Sequence, residues 1–346
     1  MNNVFVSLFL FVALIVCGRC TQRSLRSWMN PDCGVRCQEK NITTVYLRAD
    51  GPNDTLHYLW DFDGNPSVLL ALTSTSAYLN ISWDDYLAKK RNSVTFTEEP
   101  AYTFGVVLNK IIEFNDVNDT GLININNIVN TNTLYPMFFQ WDRKNLVQNN
   151  DFVSLNMEGS HYNDTAMDIT RNGSVKLTVN VNYIINSYSF SFQIIEVRTP
   201  PSKSMDNYLS EGAYLQWKPV SYTTVARDTT SSTETIQYPP IKVSNHSSAI
   251  ANTMLYRYYG DNVEKLLTQR IIVSLGMQGD GFYKRTYYST WTFLIGYGTP
   301  PNEQFSFLVI MILSIGLGLP LIIFFATGIY LCVRKMSRRS SQYISQ

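Results

Sequence analysis

The chain has 346 residues, with 28 Lys and Arg against 27 Asp and Glu, and a net charge of +1 offers no basic stripe to neutralise nucleic-acid phosphates. At 45% hydrophobic and 13% aromatic residues it is too apolar to be disordered. Its length suffices to bury a full core, as one large or two smaller domains.

Residues 1–20 read as a secretory signal, because an apolar run from Val4 to Val16 is followed by the small residues Cys17, Gly18 and Cys20 before Thr21. No Lys or Arg precedes the run, so an uncleaved anchor is the competing reading. If Cys17 and Cys20 leave with the signal, Cys33 and Cys37 are the luminal cysteines. In "CGVRC" they can close a small loop as a disulfide; the competing reading, half of a metal site, has no His or further Cys at ligand spacing nearby.

Alternation then dominates. "LHYLWDF" and "SVLLALT" are strand candidates, and in "AYLNISW" the residues Ala77, Leu79, Ile81 and Trp83 share an inward face while Asn80 points out. "DDYLAKK" (Asp84 to Lys90) reads as a short helix, and the adjacent acids Asp84 and Asp85 suit a turn or helix start better than a glycosidase pair. "TFGVVLNKIIEF" is a further strand. "VKLTVNVNY" sets Val175, Leu177, Val179, Val181 and Tyr183 on one face, and "YSFSFQI" sets Tyr188, Phe190, Phe192 and Ile194 likewise. With "INS" between them, the two runs predict a hairpin of half-buried strands. The polar, proline-paired "VRTPPSKSMDNYLSEGAY" predicts a boundary. "YLQWKPVSYTT", "RIIVSLG" and "YYSTWTFLIGY" are strands beyond it, and "NVEKLLTQR" is a short helix. The expected fold is an all-β, sandwich-type ectodomain of antiparallel sheets in two subdomains, 21–198 and 199–304.

No charged residue lies between Glu303 and Arg334, which predicts a transmembrane helix over 305–333. Arg334, Lys335, Arg338 and Arg339 then place the tail 334–346 in the cytosol, giving a single-pass type I protein. All seven N-x-S/T sequons, at Asn41, Asn53, Asn80, Asn118, Asn163, Asn172 and Asn245, fall on the luminal side and each usable one marks surface. Between the strand around Trp291 and the span stand only the residues "GYGTPPNEQ", stiffened by Pro300 and Pro301. An ectodomain held so near the bilayer favours a lateral membrane partner, which makes Gly296, Pro300 and Pro301 candidate contacts. Within the span Ser314 and Gly318 form a small-xxx-small pair that permits close helix approach, against the plainer reading of an ordinary anchor.

Chemistry is sparse. The histidines are His57, His161 and His246, and no H-E-x-x-H, G-x-S-x-G or G-x-x-x-x-G-K motif occurs. His57 and His161 are what a luminal hydrolase would have to use. Trp60, Trp83, Trp141, Trp217 and Trp291 could build a carbohydrate or ligand site, but most of them read as core. No catalytic residue, metal ion or cofactor is expected.

"NDTLHYLW" (Asn53 to Trp60), "LNISW" (Leu79 to Trp83), "NGSVKLTV" (Asn172 to Val179), "QWKPVSY" (Gln216 to Tyr222) and "STWTFLIGYGTPP" (Ser289 to Pro301), in this order, resemble blocks of the glycosylated lysosomal membrane protein family. The resemblance implies a lysosomal type I glycoprotein that is not an enzyme. It implies an accessory subunit of a multi-span, major-facilitator-type dipeptide transporter, whose luminal domain covers the transporter and shields it from proteases. The tail "SSQYISQ" departs from the family's tyrosine-based sorting signal, with Gln346 where a bulky apolar residue should follow Tyr343. A luminal receptor or ligand-binding glycoprotein is the alternative, and a homodimer is compatible with either.

Overall fold

The computed structural model describes residues 23–40, 42–124, 131–138, 141–148, 153–159, 164–169, 175–181, 188–199, 212–217, 221–222, 230, 232–281 and 289–298, and in the apolar C-terminal segment 312, 315–316, 318, 320 and 322–334. They fall into two compact units, one up to residue 300 and one from 301 onward.

The first unit begins with a meander of β1 (Ser24–Met29), β2 (Thr44–Asp50), β3 (Thr55–Asp61) and β4 (Ser67–Thr73), with helix α1 (Val35–Glu39) between the first two. Next, a small hairpin of β5 (Leu79–Ile81) and β6 (Val94–Phe96) encloses helix α2 (Trp83–Leu87). The long β7 (Tyr102–Asn115) returns beside β4, and β8 (Thr131–Leu134) pairs with it. A second sheet starts with β9 (Trp141–Gln148), β10 (Val153–Gly159), β11 (Asp164–Ile169) and β12 (Val175–Val181). The chain then crosses back: β13 (Tyr188–Arg198) joins the first sheet, whereas β14 (Ala213–Trp217), β15 (Ser221–Tyr222) and β16 (Ser232–Thr233) join the second. β17 (Thr235–Gln237) and β18 (Ile241–Lys242) lead through helices α3 (His246–Ala249) and α4 (Met254–Tyr259) to β19 (Leu267–Leu275), all three strands in the first sheet. β20 (Ser289–Tyr297) enters the second.

The resulting orders are β1-β2-β3-β4-β7-β13-β19-β17, with β8 on β7 and β18 on β19, and β16-β15-β20-β12-β11-β10-β9, with β14 on β20. Every one of these pairings is antiparallel, so the expected all-β class holds for the described residues.

Three expectations are corrected. The chain is not divided at residues 198 and 199: Arg198 ends β13, which pairs with β19 from the far side of that point, while β12 pairs with β20. The polar stretch there connects sheets; it does not separate subdomains. The predicted hairpin does not form either, because β12 pairs with β11 and β20 and β13 with β7 and β19. Period-2 alternation specifies which face a side chain takes but not which strand lies alongside. Trp83 is not the end of a strand; it opens α2, with its indole Nε1 donating to the Pro31 carbonyl at 2.6 Å.

The first sheet is covered on both faces. From β3, Leu56, Tyr58 and Trp60 enter a core with Phe104, Ile194, Ala213 and Ile295, where the two sheets meet. Leu59 points the other way, into a core with Trp83, Tyr86, Met254, Leu255 and the disulfide Cys33–Cys37. Two-sided burial explains why "LHYLWDF" and "SVLLALT" are nearly continuous apolar runs rather than clean alternations. It also buries every odd-numbered polar residue of β3, Thr55, His57 and Asp61, on the helix-covered side.

Candidate functional site

Two polar clusters, and a cavity bordering the first of them, lie on the helix-covered side of the first sheet. In the first cluster His57, 1% exposed, lies between the Tyr46 hydroxyl (Nδ1, 2.7 Å) and Thr73 Oγ1 (Nε2, 2.8 Å). The Thr73 hydroxyl donates to the Ser74 carbonyl, so Thr73 accepts from His57 Nε2–H and Nδ1 is left to accept from Tyr46. A second proton, on Nδ1, would require the Tyr46 hydroxyl to turn from donor to acceptor. Burial, helped by the charge of Arg48, accordingly pushes the His57 pKa down to about 4, and burial pushes Tyr46 up to about 12.

Arg48 is the hub of this cluster. Its Nε bonds Asp50 Oδ1 at 2.7 Å, its Nη1 donates to the Ala77 carbonyl at 2.6 Å and its Nη2 to the Thr75 carbonyl at 2.7 Å. Asp50 also accepts from Arg26 and Thr55. Burial raises the Asp50 pKa, but these hydrogen bonds outweigh it and hold the carboxyl below its usual range.

The second cluster joins β3 to α4. Arg257, 1% exposed, reaches Asp63 Oδ2 at 2.5 Å and Asp61 Oδ2 at 3.6 Å, with its guanidinium carbon 4.1 Å from the centre of the Tyr86 ring. Thr44 donates to the other Asp61 oxygen at 3.0 Å. Burial pushes Asp61 up to about 6 against the pull of Arg257.

The cavity, of about 380 Å³, is lined by Arg26, Trp28, Tyr46, Arg48, Tyr78 and Asn80 among others. Trp28 stacks on Tyr46 with centroids 5.2 Å apart, and the Arg48 guanidinium sits 4.6 Å from the Tyr78 centroid.

Against this geometry, the hydrolase reading of His57 fails: the ring is sealed from solvent and both nitrogens are engaged. His161 lies outside the described residues, and His246 Nδ1 faces the Val263 carbonyl at 3.1 Å. Among the described residues no group of His, Cys, Asp and Glu is arranged to hold a metal ion. Asp84 and Asp85 stand in the first turn of α2, where Asp85 accepts from Ser82 and Lys90.

The sequons Asn53, Asn80, Asn118 and Asn245 are exposed, and Asn245 Oδ1 caps α3 by accepting from Ser248 N at 2.9 Å. Asn41, Asn163 and Asn172 lie outside the described residues, as do Pro300, Pro301 and Ser314. Gly296 is corrected as a partner contact: it is buried in β20 opposite Tyr214, whose hydroxyl occupies the space a Cβ would take, at 2.4 Å. The aromatic ring fills the gap left by a strand glycine. Within the expected span, Gly318 is helical and residues 322–334 form exposed helix; among the described residues no helix is long and apolar enough to cross a membrane.

Sequence reasoning missed Arg48, Arg257, Trp28 and Tyr78. The signals were an arginine set among aromatics in "MLYRYY", and a tyrosine two residues before a sequon in "YLN".

The family described as "Glycosylated lysosomal membrane protein" matches residues 43–187 and 190–338, most of the chain. Similar proteins include "Glycosylated lysosomal membrane protein A" of Xenopus laevis, 24% identical over 82% of this chain and 84% of the relative. The protein of that family from Danio rerio is 24% identical over 87% and 86%, and that from Mus musculus 22% over 93% and 88%. The chain therefore belongs to the glycosylated lysosomal membrane protein family and is a protein of the lysosomal membrane.

Proposed function

We propose that this chain is a non-catalytic, single-pass accessory subunit that binds a multi-span transporter of the major-facilitator type in the lysosomal membrane and shields its luminal loops from proteolysis. The observation that carries this reading is the fate of the ionisable side chains in the first unit. His57, Arg48, Asp61 and Arg257 are buried and engaged with neighbouring side chains or with backbone, so they brace the fold instead of converging on a common reaction centre. Shielding needs a rigid, sugar-coated surface, and exposed sequons at Asn53, Asn80, Asn118 and Asn245 supply attachment points for one. In the sequence only residues 298–304 separate β20 from the apolar stretch beginning at Phe305, and so short a link favours a partner in the same membrane.

Deleting the protein from cells is expected to lower the abundance of one multi-span lysosomal transporter several-fold, with recovery when luminal proteases are inhibited. Quantitative proteomics of lysosome-enriched membranes checks this. Normal abundance of every such transporter in the deleted cells would sink the proposal.

A further inference from the structure

We propose that the cavity between β1 and the β5–β6 hairpin is the seat of the chain's own glycan, with the first N-acetylglucosamine of the Asn80 oligosaccharide stacked on Tyr78. Side chains two apart on an extended strand project to the same side, about 7 Å from each other. Tyr78 is in such a conformation: its N–H donates to Thr97 Oγ1 and its carbonyl accepts from Thr97 N, each at 2.9 Å, continuing the hairpin in which Asn80 pairs with Thr95. Tyr78 and Asn80 are both exposed, and Leu79 and Ile81, half-buried against the helix-side core, line the same cavity and add apolar wall to it.

An exposed tyrosine ordinarily has a loosely set ring. Here Arg48 lies against one face, held in turn by Asp50, Ala77 and Thr75, so the ring is fixed while the residue stays 59% exposed. A preset aromatic platform binds without first losing side-chain freedom. Across the cavity Trp28, backed by Tyr46 and 38% exposed, offers a second ring. Arg26 and Asp32 line the same space with a donor and an acceptor for sugar hydroxyls. A pyranose presents an apolar C–H face and a polar rim, which is what these walls match.

The other exposed described sequons lack this arrangement. Two residues before Asn53, Asn118 and Asn245 stand Gly51, Asp116 and the buried Val243. The Asn80 glycan would also lie across Trp28 on β1, the last strand at that end of the first sheet, and so cover an edge open to unwanted pairing. The contact needs no partner protein.

A double-mutant cycle on the full-length glycoprotein in mild detergent tests it. Tyr78→Ala removes the Arg48 contact in any background, so the informative quantity is the difference between its effect with Asn80 and with Asn80→Gln. Tyr78→Ala is expected to lower the unfolding midpoint by about 2–4 °C more when the glycan is present. Should Tyr78→Ala fail to fold, amidase release of glycans from the folded wild type gives the same answer: Asn80 is expected to be released several-fold more slowly than Asn53. Equal Tyr78→Ala penalties in both backgrounds, equal release rates, or an unoccupied Asn80 by peptide mass spectrometry overturn the proposal.

Discussion

Arg257→Met is expected to lower the stability of the first unit by about 3–5 kcal/mol near neutral pH, read as the unfolding midpoint of the detergent-solubilised glycoprotein. Methionine keeps the stem packed on Tyr86 but removes the charge that Asp61 and Asp63 face. Asp61 is fully buried, so breaking the pair leaves a carboxylate with only the neutral hydroxyls of Thr44 and Tyr86 to offset its lost hydration. An effect below about 1 kcal/mol would mean that the cluster is incidental to the fold.

The same penalty is expected to shrink on acidification. In the folded state Asp61 takes up its proton at about 6, against an ordinary value of 3.8. A raised pKa contributes stability that is fully present below 3.8 and is lost as pH rises through about 6. Between about pH 7 and about pH 5 the gain is on the order of 1 kcal/mol. His57 works in the opposite sense: lowered from 6.5 to about 4, it contributes stability above 6.5 that is lost as pH falls toward 4. Its loss over the same interval is on the order of 2 kcal/mol, so the two partly cancel in the wild type. Asp61→Asn deletes the acid-side gain and leaves the His57 loss. That variant is expected to lose stability more steeply on acidification than the parent, and a matching pH profile would show that Asp61 does not titrate as described.

Gly64→Ala carries the second large effect, about 3 kcal/mol or more. Gly64 turns the chain from β3 to β4 at φ +103°, and a Cβ there would lie 2.2 Å from the Asn252 carbonyl oxygen. Backbone cannot step aside as a long side chain can, so the turn and the start of α4 must separate. The neighbouring Asp63 would then be drawn off Arg257. Gly279→Ala is the control, because Gly279 has φ +77° but nothing within 4 Å of the point where a Cβ would stand. It should show conformational strain alone, about 1 kcal/mol. Similar midpoints for the two variants would show that close approach to Asn252 does not matter. The Gly64→Ala and Arg257→Met effects share Asp63 and should not add.

Strand positions were legible from runs of β-branched and aromatic residues, even where burial on both faces erases the alternation. "SVLLALT" is β4 residue for residue, "TFGVVLNKIIEF" lies along β7, and the described part of the last run, "STWTFLIGY", is β20. What failed was pairing across distance. The short "INS" link suited a hairpin, yet β13 matches eleven residues of itself against β7 and leaves β12 to β11 and β20. No local signal distinguishes those outcomes, since strand partners are decided by the whole set of faces to be buried. Helix α4 was missed although Thr253 caps its start and Gly260, at φ +52°, ends it, because six residues are too few for a helical period to stand out. "NVEKLLTQR" was half right: residues 260–265 form a 3₁₀ turn and β19 takes over at Leu267. The buried ion cluster was illegible for a different reason. Asp61, Asp63 and Arg257 lie nearly two hundred positions apart, and only the fold brings them together.

The central claim is an accessory role beside a transporter. It is tested most directly by affinity purification of the full-length protein in mild detergent from lysosome-enriched membranes, with mass spectrometry of what co-purifies. The account predicts one multi-span transporter at near-equal stoichiometry. Recovery of the protein alone, or with soluble ligands only, would contradict it and favour a receptor.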